Sequence, residues 1–467
     1  MSEETIGPVL YSRGADENGH RLSALLLLRE GAPVPPLKPD GAAAAAAVRL
    51  DTLFGWHAFG WSFTLAPGAT GYRLGGRFYP VAADPGGDIR VGYVSCNGKE
   101  TGDFDRPEAE RNAMWQRLAD HHASAPLGLL LHGGDQIYAD GALDSHPALA
   151  AWRDLPEDRA AEPRSTPEME DAATRFFFDR WRRSLASPAV AQLLAEVPSI
   201  MMWDDHDIFD GWGSRAAAVQ EGPVGQMMFA VARRFFLLFQ AGGGVSEDAA
   251  TLSTDRVYPG FCVLAPDLRS ERRRDRVMGP AGWDFLQEAV RAARPDDHVF
   301  IMSSTPALGP RLSLLEGLHR IVPGAQKYED DLRDQWQSRA HRREWQRLLG
   351  LLAEHMETGG PVTLLSGEIH LATRGEMRLR DGRILHQLCA SGVSHPPPPD
   401  AFARALGWLA RLGADPLPDR PIRLCPPPGM RPIYVAERNV MILSRRNGRW
   451  SAQWDFEESG LSPTLTL

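Results

Sequence analysis

Cysteine is scarce in this chain. Four residues, Cys96, Cys262, Cys389 and Cys425, stand far apart among 467, and no Cys-x-x-Cys pair occurs. That excludes a zinc knuckle and a thioredoxin-type redox pair, and it suits a reducing compartment. A basic excess is also lacking: the formal net charge is −9. General nucleic-acid binding is therefore not expected, since it needs a basic surface. No run reaches the ~18 apolar residues of a membrane helix, and the alanines 42–47 are too few to span. The opening MSEETIGPVLYSRG has no basic region followed by an apolar segment and no arginine pair. No Sec or twin-arginine signal is read there, and a cytoplasmic location is expected. Internal repeats are absent.

What is present is ordinary for a globular protein: 43% hydrophobic and 24% charged residues. The length favours two or three domains and a core that needs no disulfide or metal staple. Residues 1 to 86 read as β structure. LSALLLL, LDTLFGWHAFGWSFTL and GYRLGGRFYPV are rich in strand formers and broken by Gly and Pro, so a small β-sandwich domain is expected. From about residue 88 short apolar runs alternate with amphipathic helices such as TRFFFDRWRRSLA and VGQMMFAVARRFFLLFQ. That alternation predicts an α/β domain over 87–467 with a largely parallel or mixed sheet. NVMILSRRNGRWSAQWDF reads as a hairpin turning at Asn447-Gly448. The Pro-rich segments 157–168 and 395–430 read as loops or cap elements, the second as a lid over the site.

Four apolar runs end in a polar cluster: SCNG (95–98), GGDQIYAD (133–140), WDDHD (203–207) and SGEIH (366–370). Ligands of α/β sheets bind beyond the carboxyl ends of the strands. Convergence of the four would pool Cys96, Asp135, Tyr138, Asp205, His206, Glu368 and His370. WDDHD is the most informative, because Asp204, Asp205 and Asp207 repel one another unless a cation or donors answer them. Gly211 and Gly213 then let the chain turn away. Asp135 and Tyr138 would share a face if a helical turn starts at Asp135, and Glu368 and His370 share a strand face. Taken singly, each has a bland alternative: a capping Asp with a packed Tyr, a hydrogen-bonded His, a core Cys. Cys96 is open to three roles, as core thiol, nucleophile paired with a His, or metal thiolate.

SC at 95–96, GDQIYAD at 134–140, WDDHDIFDGWG at 203–213 and SGEIH at 366–370 together resemble the PhoD-like alkaline phosphatases. These are relatives of the calcineurin-type and purple acid metallophosphatases. The resemblance covers roughly 88–395. It implies an αββα sandwich of two mixed sheets with helices outside, preceded by a small N-terminal β-sandwich. It implies metal ligation by Cys96, Asp135 as the bridge, Tyr138, Asp205, Glu368 and His370, with His206 catalytic. Glu368 stands where the wider superfamily has an imidazole, and Ser304 stands where it has another. Asp267 and Arg269 match an Asp-x-Arg strand end, and Asp334 and Trp336 match an Asp-x-Trp. Asn97 and Arg269 are weaker candidates for holding phosphate oxygens.

Thiolate and phenolate donors suit a ferric ion, and hard oxygens suit calcium, magnesium or manganese. The expected cofactors are two or more metal ions, Fe(III) plus Ca(II) first, with Mn, Mg or Zn as alternatives. Two metals about 4 Å apart would activate a shared water for in-line attack on a small phosphoester, mono- or diester. His206 would stabilise or protonate the leaving oxygen. Two other classes remain: a Cys96-dependent thiol hydrolase, sensitive to alkylation rather than chelation, and a non-catalytic metal-binding or scaffold protein.

Overall fold

The computed structural model describes residues 5–82, 84–310, 334–367 and 369–467. The N-terminal strands are β1 (Thr5–Asp16), β2 (Gly19–Arg29), β3 (Leu37–Pro39), β4 (Ala47–Leu53), β5 (Trp56–Leu65), β6 (Gly71–Leu74) and β7 (Arg77–Pro80). β3, β6 and β7 form a three-stranded sheet that faces β1, β2 and β5 across a core of Leu10, Leu22, Leu26, Trp61, Phe63 and Tyr72. The aromatic stretch noted in the sequence thus packs in two layers. Its larger sheet does not stop near residue 86, however. Tyr11 of β1 pairs in parallel with Ser199 of a strand far along the chain. The reason lies in β1 itself, whose alternate side chains serve two cores. Leu10 faces the small sheet, whereas Val9 and Tyr11 join the aromatic core under the helices.

The strands that follow are β8 (Ile89–Val94), β9 (Leu129–Gly133), β10 (Ser199–Met202), β11 (Thr254–Tyr258), β12 (Phe261–Ala265), β13 (His298–Ser303) and β14 (Val362–Ser366). After them come β15 (Thr373–Arg378), β16 (Ile384–Cys389), β17 (Ala414–Leu417), β18 (Arg420–Cys425), β19 (Asn439–Arg446), β20 (Arg449–Phe456), β21 (Gly460–Leu461) and β22 (Leu465–Thr466). One eleven-stranded sheet runs β21-β20-β19-β8-β9-β10-β1-β2-β5-β4, with β22 beside β20. The second runs β11-β12-β13-β14-β16-β15-β18-β17. Parallel pairing links β8, β9 and β10 in the first, and β12, β13, β14 and β16 in the second.

Period-two alternation splits the first sheet between two cores. Val91, Tyr93, Leu129, Leu131, Ile200 and Met202 face the second sheet. Val94, Leu130, Met201, Val440 and Ile442 face the helices Ala113–Ser124, Pro167–Ala186, Pro188–Glu196 and Pro223–Phe235. Trp283 and Leu286 of Pro280–Ala292, and Leu349 and Leu352 of Arg342–Thr358, cover the other side of the second sheet. The result is four layers, αββα. Proline opens several of these helices at a position whose N–H would be unsatisfied anyway, as at Pro167, where the Thr166 side chain also accepts from Met169 N.

The hairpin falls where the sequence indicated, with Asn447 and Gly448 both at positive φ, as a two-residue turn of the favoured hand requires. Segment 395–430 holds more than a loop. It contains the helix Asp400–Ala410, and β18 pairs with β15 to extend the second sheet. Among the described residues no helix is long and apolar enough to cross a membrane.

Candidate metal centre

β8, β9 and β10 end at Val94, Gly133 and Met202, and β13 and β14 of the facing sheet end at Ser303 and Ser366. The polar clusters follow at once. Backbone bonds lace them together: Cys96 N to Gly134 O (3.1 Å), Asn97 N to Asp135 O (2.8 Å), Gly367 N to Ser304 O (3.0 Å) and Val393 N to Ser95 O (2.9 Å). Gly134 sits at φ 108°, where a Cβ would lie 2.8 Å from that of Asp204, so only glycine lets these two loops approach. Both sheets therefore contribute to one site.

Six non-glycine residues among those described have positive φ, and three of them are Cys96 (55°), Asp135 (52°) and His370 (51°). Left-handed backbone disfavours a side chain with a Cβ and concentrates at functional sites. These three side chains converge. Their donor atoms all lie within 4.8 Å of one another, and Asp135 forms a second such group with Asp204 and Asp205. Tyr138 joins the first group through its hydroxyl, 3.0 Å from His370 Nε2. Glu368, expected as a ligand, lies outside the described residues.

The electrostatics set the two groups apart. Asp135 is 1% exposed, and its Oδ1 is buried without a hydrogen-bond partner. Burial, then Asp204 nearby, push its carboxyl well above the usual range. Burial and the neighbouring Cys96 and Asp135 likewise push the Tyr138 phenol up. Burial, His395 and His206 hold His370 well below its ordinary value. All of these shifts answer the crowding of acids and donors in a dry place with no cation, so the residues present fit a bound metal.

Asp204 and Asp205 have a cation already. Arg269 is fully buried; its Nε contacts Asp204, its Nη2 lies 3.4 Å from Asp205 and 2.7 Å from Asp334, and its Nη1 donates to Trp212 O. Burial still raises Asp204 to about 6 against Arg269, while Arg269 and His206 overcome burial to hold Asp205 below the carboxylate range. Ser304 Oγ donates to Asp204 at 2.8 Å. Asp207 serves as a support. It accepts from Ile137 N and Asp204 N, and from Gln240 Nε2 at 3.1 Å, where a π-helical turn (Phe236–Gln240) ends the helix Pro223–Phe235.

His206 lies over Tyr138, ring centroids 4.3 Å apart, and its Nδ1 lies 2.9 Å from Asp140 Oδ2. Burial opposes its charge, yet Asp140 and Asp205 raise it well above its ordinary value. Asp210, more than half exposed, forms a group with Asp205 and His206.

The two residues expected to hold phosphate have internal partners instead. Asn97 donates to Gln136 O and Ser184 Oγ and accepts from Trp115 Nε1 and Ser394 Oγ. Arg269 is enclosed by the three carboxylates named above. Asp267 accepts from Trp203 Nε1 and from Arg269 N, fixing the loop that carries Arg269. Trp336 donates to Ser303 Oγ.

Sequence reasoning named Asp204 only as one of the crowded acids of WDDHD, and it missed Asp140, Asp210 and His395 as participants. His395 stacks on His370 at 3.4 Å between centroids and lies 3.4 Å from Glu100. It opens the Pro-rich segment. Backbone bonds from Ser394 and His395 to Cys96 O pin that opening onto the site, and the following helix leaves Trp408 exposed.

The four layers and the strand-end donor set resemble those of metallophosphatases, and a family model described as PhoD related phosphatase matches residues 105–328. An uncharacterized protein of Saccharomyces cerevisiae, YGR266W, is 24% identical over 414 residues, 68% of this chain; the chain spans 58% of that relative's length. The solved structure of PhoD matches over 100% of this chain and 90% of its own, with TM-score 0.61 and 14% identity. Purple acid phosphatase PPD1 from yellow lupin (Lupinus luteus) seeds matches over 99% and 74%, with TM-score 0.58 and 11% identity. At these identities the two structures speak for the fold.

Proposed function

We propose that this protein hydrolyses small phosphoesters at a pair of metal ions that share Asp135. The observation that carries this is that Asp135 belongs to two donor groups at once, with Cys96 and His370 and with Asp204 and Asp205. Cys96, Tyr138 and His370 would hold a ferric ion, which favours thiolate and phenolate; the carboxylates of Asp204 and Asp205 suit calcium, magnesium or manganese. When bound, such ions polarise phosphoryl oxygens and make water nucleophilic at neutral pH. Glu368 is a further candidate donor.

The protein's own contribution is orientation and proton supply. Asp140 engages His206 Nδ1, which leaves Nε2 for the leaving oxygen, and the Asp140 carboxylate raises the basicity of the ring. His206 therefore stabilises or protonates the departing alkoxide. Cys96 is fully buried, which speaks against direct attack by its thiol.

The test is metal analysis of protein purified without chelators, followed by turnover on a mono- and diester panel. Loss of turnover on chelation, with indifference to alkylating agents, is expected; chelator-resistant hydrolysis abolished by iodoacetamide would replace this reading with the thiol hydrolase. His206→Ala should cost about 100-fold on an alkyl phosphate but far less on p-nitrophenyl phosphate, whose leaving group needs no proton. Equal losses on both would remove the acid role.

A further inference from the structure

Beside the candidate centre lies a cleft of about 810 Å³, a volume that accommodates a drug-sized or nucleotide-sized ligand. Asp140 and Asp210, the carboxylates that flank His206, line one part of it. The turn Asp103–Asp105 and one face of the helix Pro167–Ala186 line another. The two parts adjoin. A Cβ on Gly98 would meet the Tyr138 ring at 2.8 Å and Asp103 Oδ2 at 3.1 Å, so the Asp103 carboxylate sits just across the Gly98 backbone from Tyr138.

The charge on the helical wall is unbalanced. The buried carboxylate of Asp103 faces three guanidiniums, Arg106 (2.5 Å), Arg111 (3.0 Å) and Arg180 (3.6 Å), of which Arg106 also has Glu110 at 3.4 Å. Arg180 Nε is buried and has no hydrogen-bond partner. Arg183, one turn on, is exposed, and its ring contact is with Phe104 at 4.1 Å. No carboxylate among the described residues pairs with it. Arg180 and Arg111 flank the same Phe104 ring at 5.1 and 4.4 Å. Elsewhere along this cleft three acids have arginine partners: Asp171 has Arg175, Asp179 has Arg182, and Asp144 has Arg153. A guanidinium held over an aromatic ring can still donate from its N–H edge to a planar or tetrahedral anion.

Building on the phosphoester reading above, we propose that the leaving group of the substrate is itself anionic, and that Arg180 and Arg183 bind its second phosphate while the first occupies the metal centre. The cleft then sorts bisphosphorylated molecules from simple monoesters. Binding of the distal group strengthens ground-state and transition-state contacts alike, so its effect falls on KM rather than kcat.

The experiment compares hexanediol bisphosphate with hexyl phosphate, whose reacting ends are chemically matched. The metal-loaded protein should show a kcat/KM at least about tenfold higher for the bisphosphate, expressed in KM. Arg183→Ala, and separately Arg180→Gln, should bring that ratio close to unity. Arg182→Ala, on the same helix but paired with Asp179, should leave it unchanged. A ratio near unity in the unaltered protein, or one that survives both substitutions, overturns the proposal. If neither compound is hydrolysed, the phosphoesterase reading fails, and calorimetry decides the cleft by itself. Tighter binding of hexanediol bisphosphate than of hexyl phosphate, abolished in Arg183→Ala, upholds an anion site there; equal binding overturns it.

Discussion

Two neighbouring clusters at the same strand ends solve the problem of buried acids in different ways. Asp204, Asp205 and Asp334 surround Arg269, a permanent cation built into the chain. Asp135, with Cys96, Tyr138 and His370, has no such partner, and Asp135 Oδ1 is left without a hydrogen bond. The first cluster has its own cation as folded, although Asp204 Oδ2 is left without a hydrogen bond on the side of Asp135. The second is held open at the cost of left-handed backbone at three of its four members. A fold that neutralises one group of acids and leaves its neighbour exposed to repulsion has reserved the second for a cation from solution.

That contrast breaks most sharply at Asp135. Asp135→Asn should lower turnover on any phosphoester by about three orders of magnitude, together with metal content, since one change touches both donor groups. The metal-free variant should be at least as stable as the metal-free parent at neutral pH, because a buried carboxylate with an unpartnered oxygen is removed. A metal-free variant markedly less stable than its parent would mean that Asp135 is a structural acid.

The opposite response is expected across the divide. Arg269→Gln leaves Asp204, Asp205 and Asp334 facing one another without their cation, and should destabilise the protein by about 3–5 kcal/mol with or without metal. Urea unfolding in the presence and absence of chelator measures this. A loss that disappears once metal is added would show that the ion and Arg269 are interchangeable. Chelation of the unaltered protein should act more gently. Metal at about a hundredfold over its Kd contributes about 2.7 kcal/mol by mass action, and the corresponding drop in Tm should vanish in Asp135→Asn.

How much of this could be read from the chain depended on how local each signal is. WDDHD, GDQIYAD and SGEIH are contiguous, so their donors announce themselves, and the apolar runs before them fix which strand ends they occupy. Arg269 stands out in sequence only as part of an Asp-x-Arg strand end and as a candidate for phosphate. Its role as a cation for buried acids rests on contact with Asp204 across 65 residues. His395 stood beside four prolines and was assigned to a loop, because nothing local tells that its ring stacks on His370. The continuity of the N-terminal strands with the central sheet was equally hidden. It rests on Tyr11 meeting Ser199, a pairing set by which side chains each face of β1 buries.

Away from the site one buried titratable group is kept neutral, and that permits the finest test of the comparison. His298 lies on β13 between the sheets, its ring stacked on Phe300 at 4.4 Å and its Nε2 2.9 Å from Thr363 Oγ. Burial, with a small push from His386, lowers it from 6.5 to about 3. The folded state therefore refuses a proton that the unfolded chain accepts below pH 6.5. Stability from this group is fully present above that pH, and declines by about 1.4 kcal/mol per pH unit as pH falls toward 3. His298→Phe keeps the stack, loses the bond to Thr363 at a cost of about 1 kcal/mol at pH 7, and removes the proton uptake. The stability gap between the two proteins should close within about one unit below pH 6.5 and then reverse. A gap that stays constant from pH 7 to 4 would mean that His298 charges inside the fold, with a partner for that charge between the sheets.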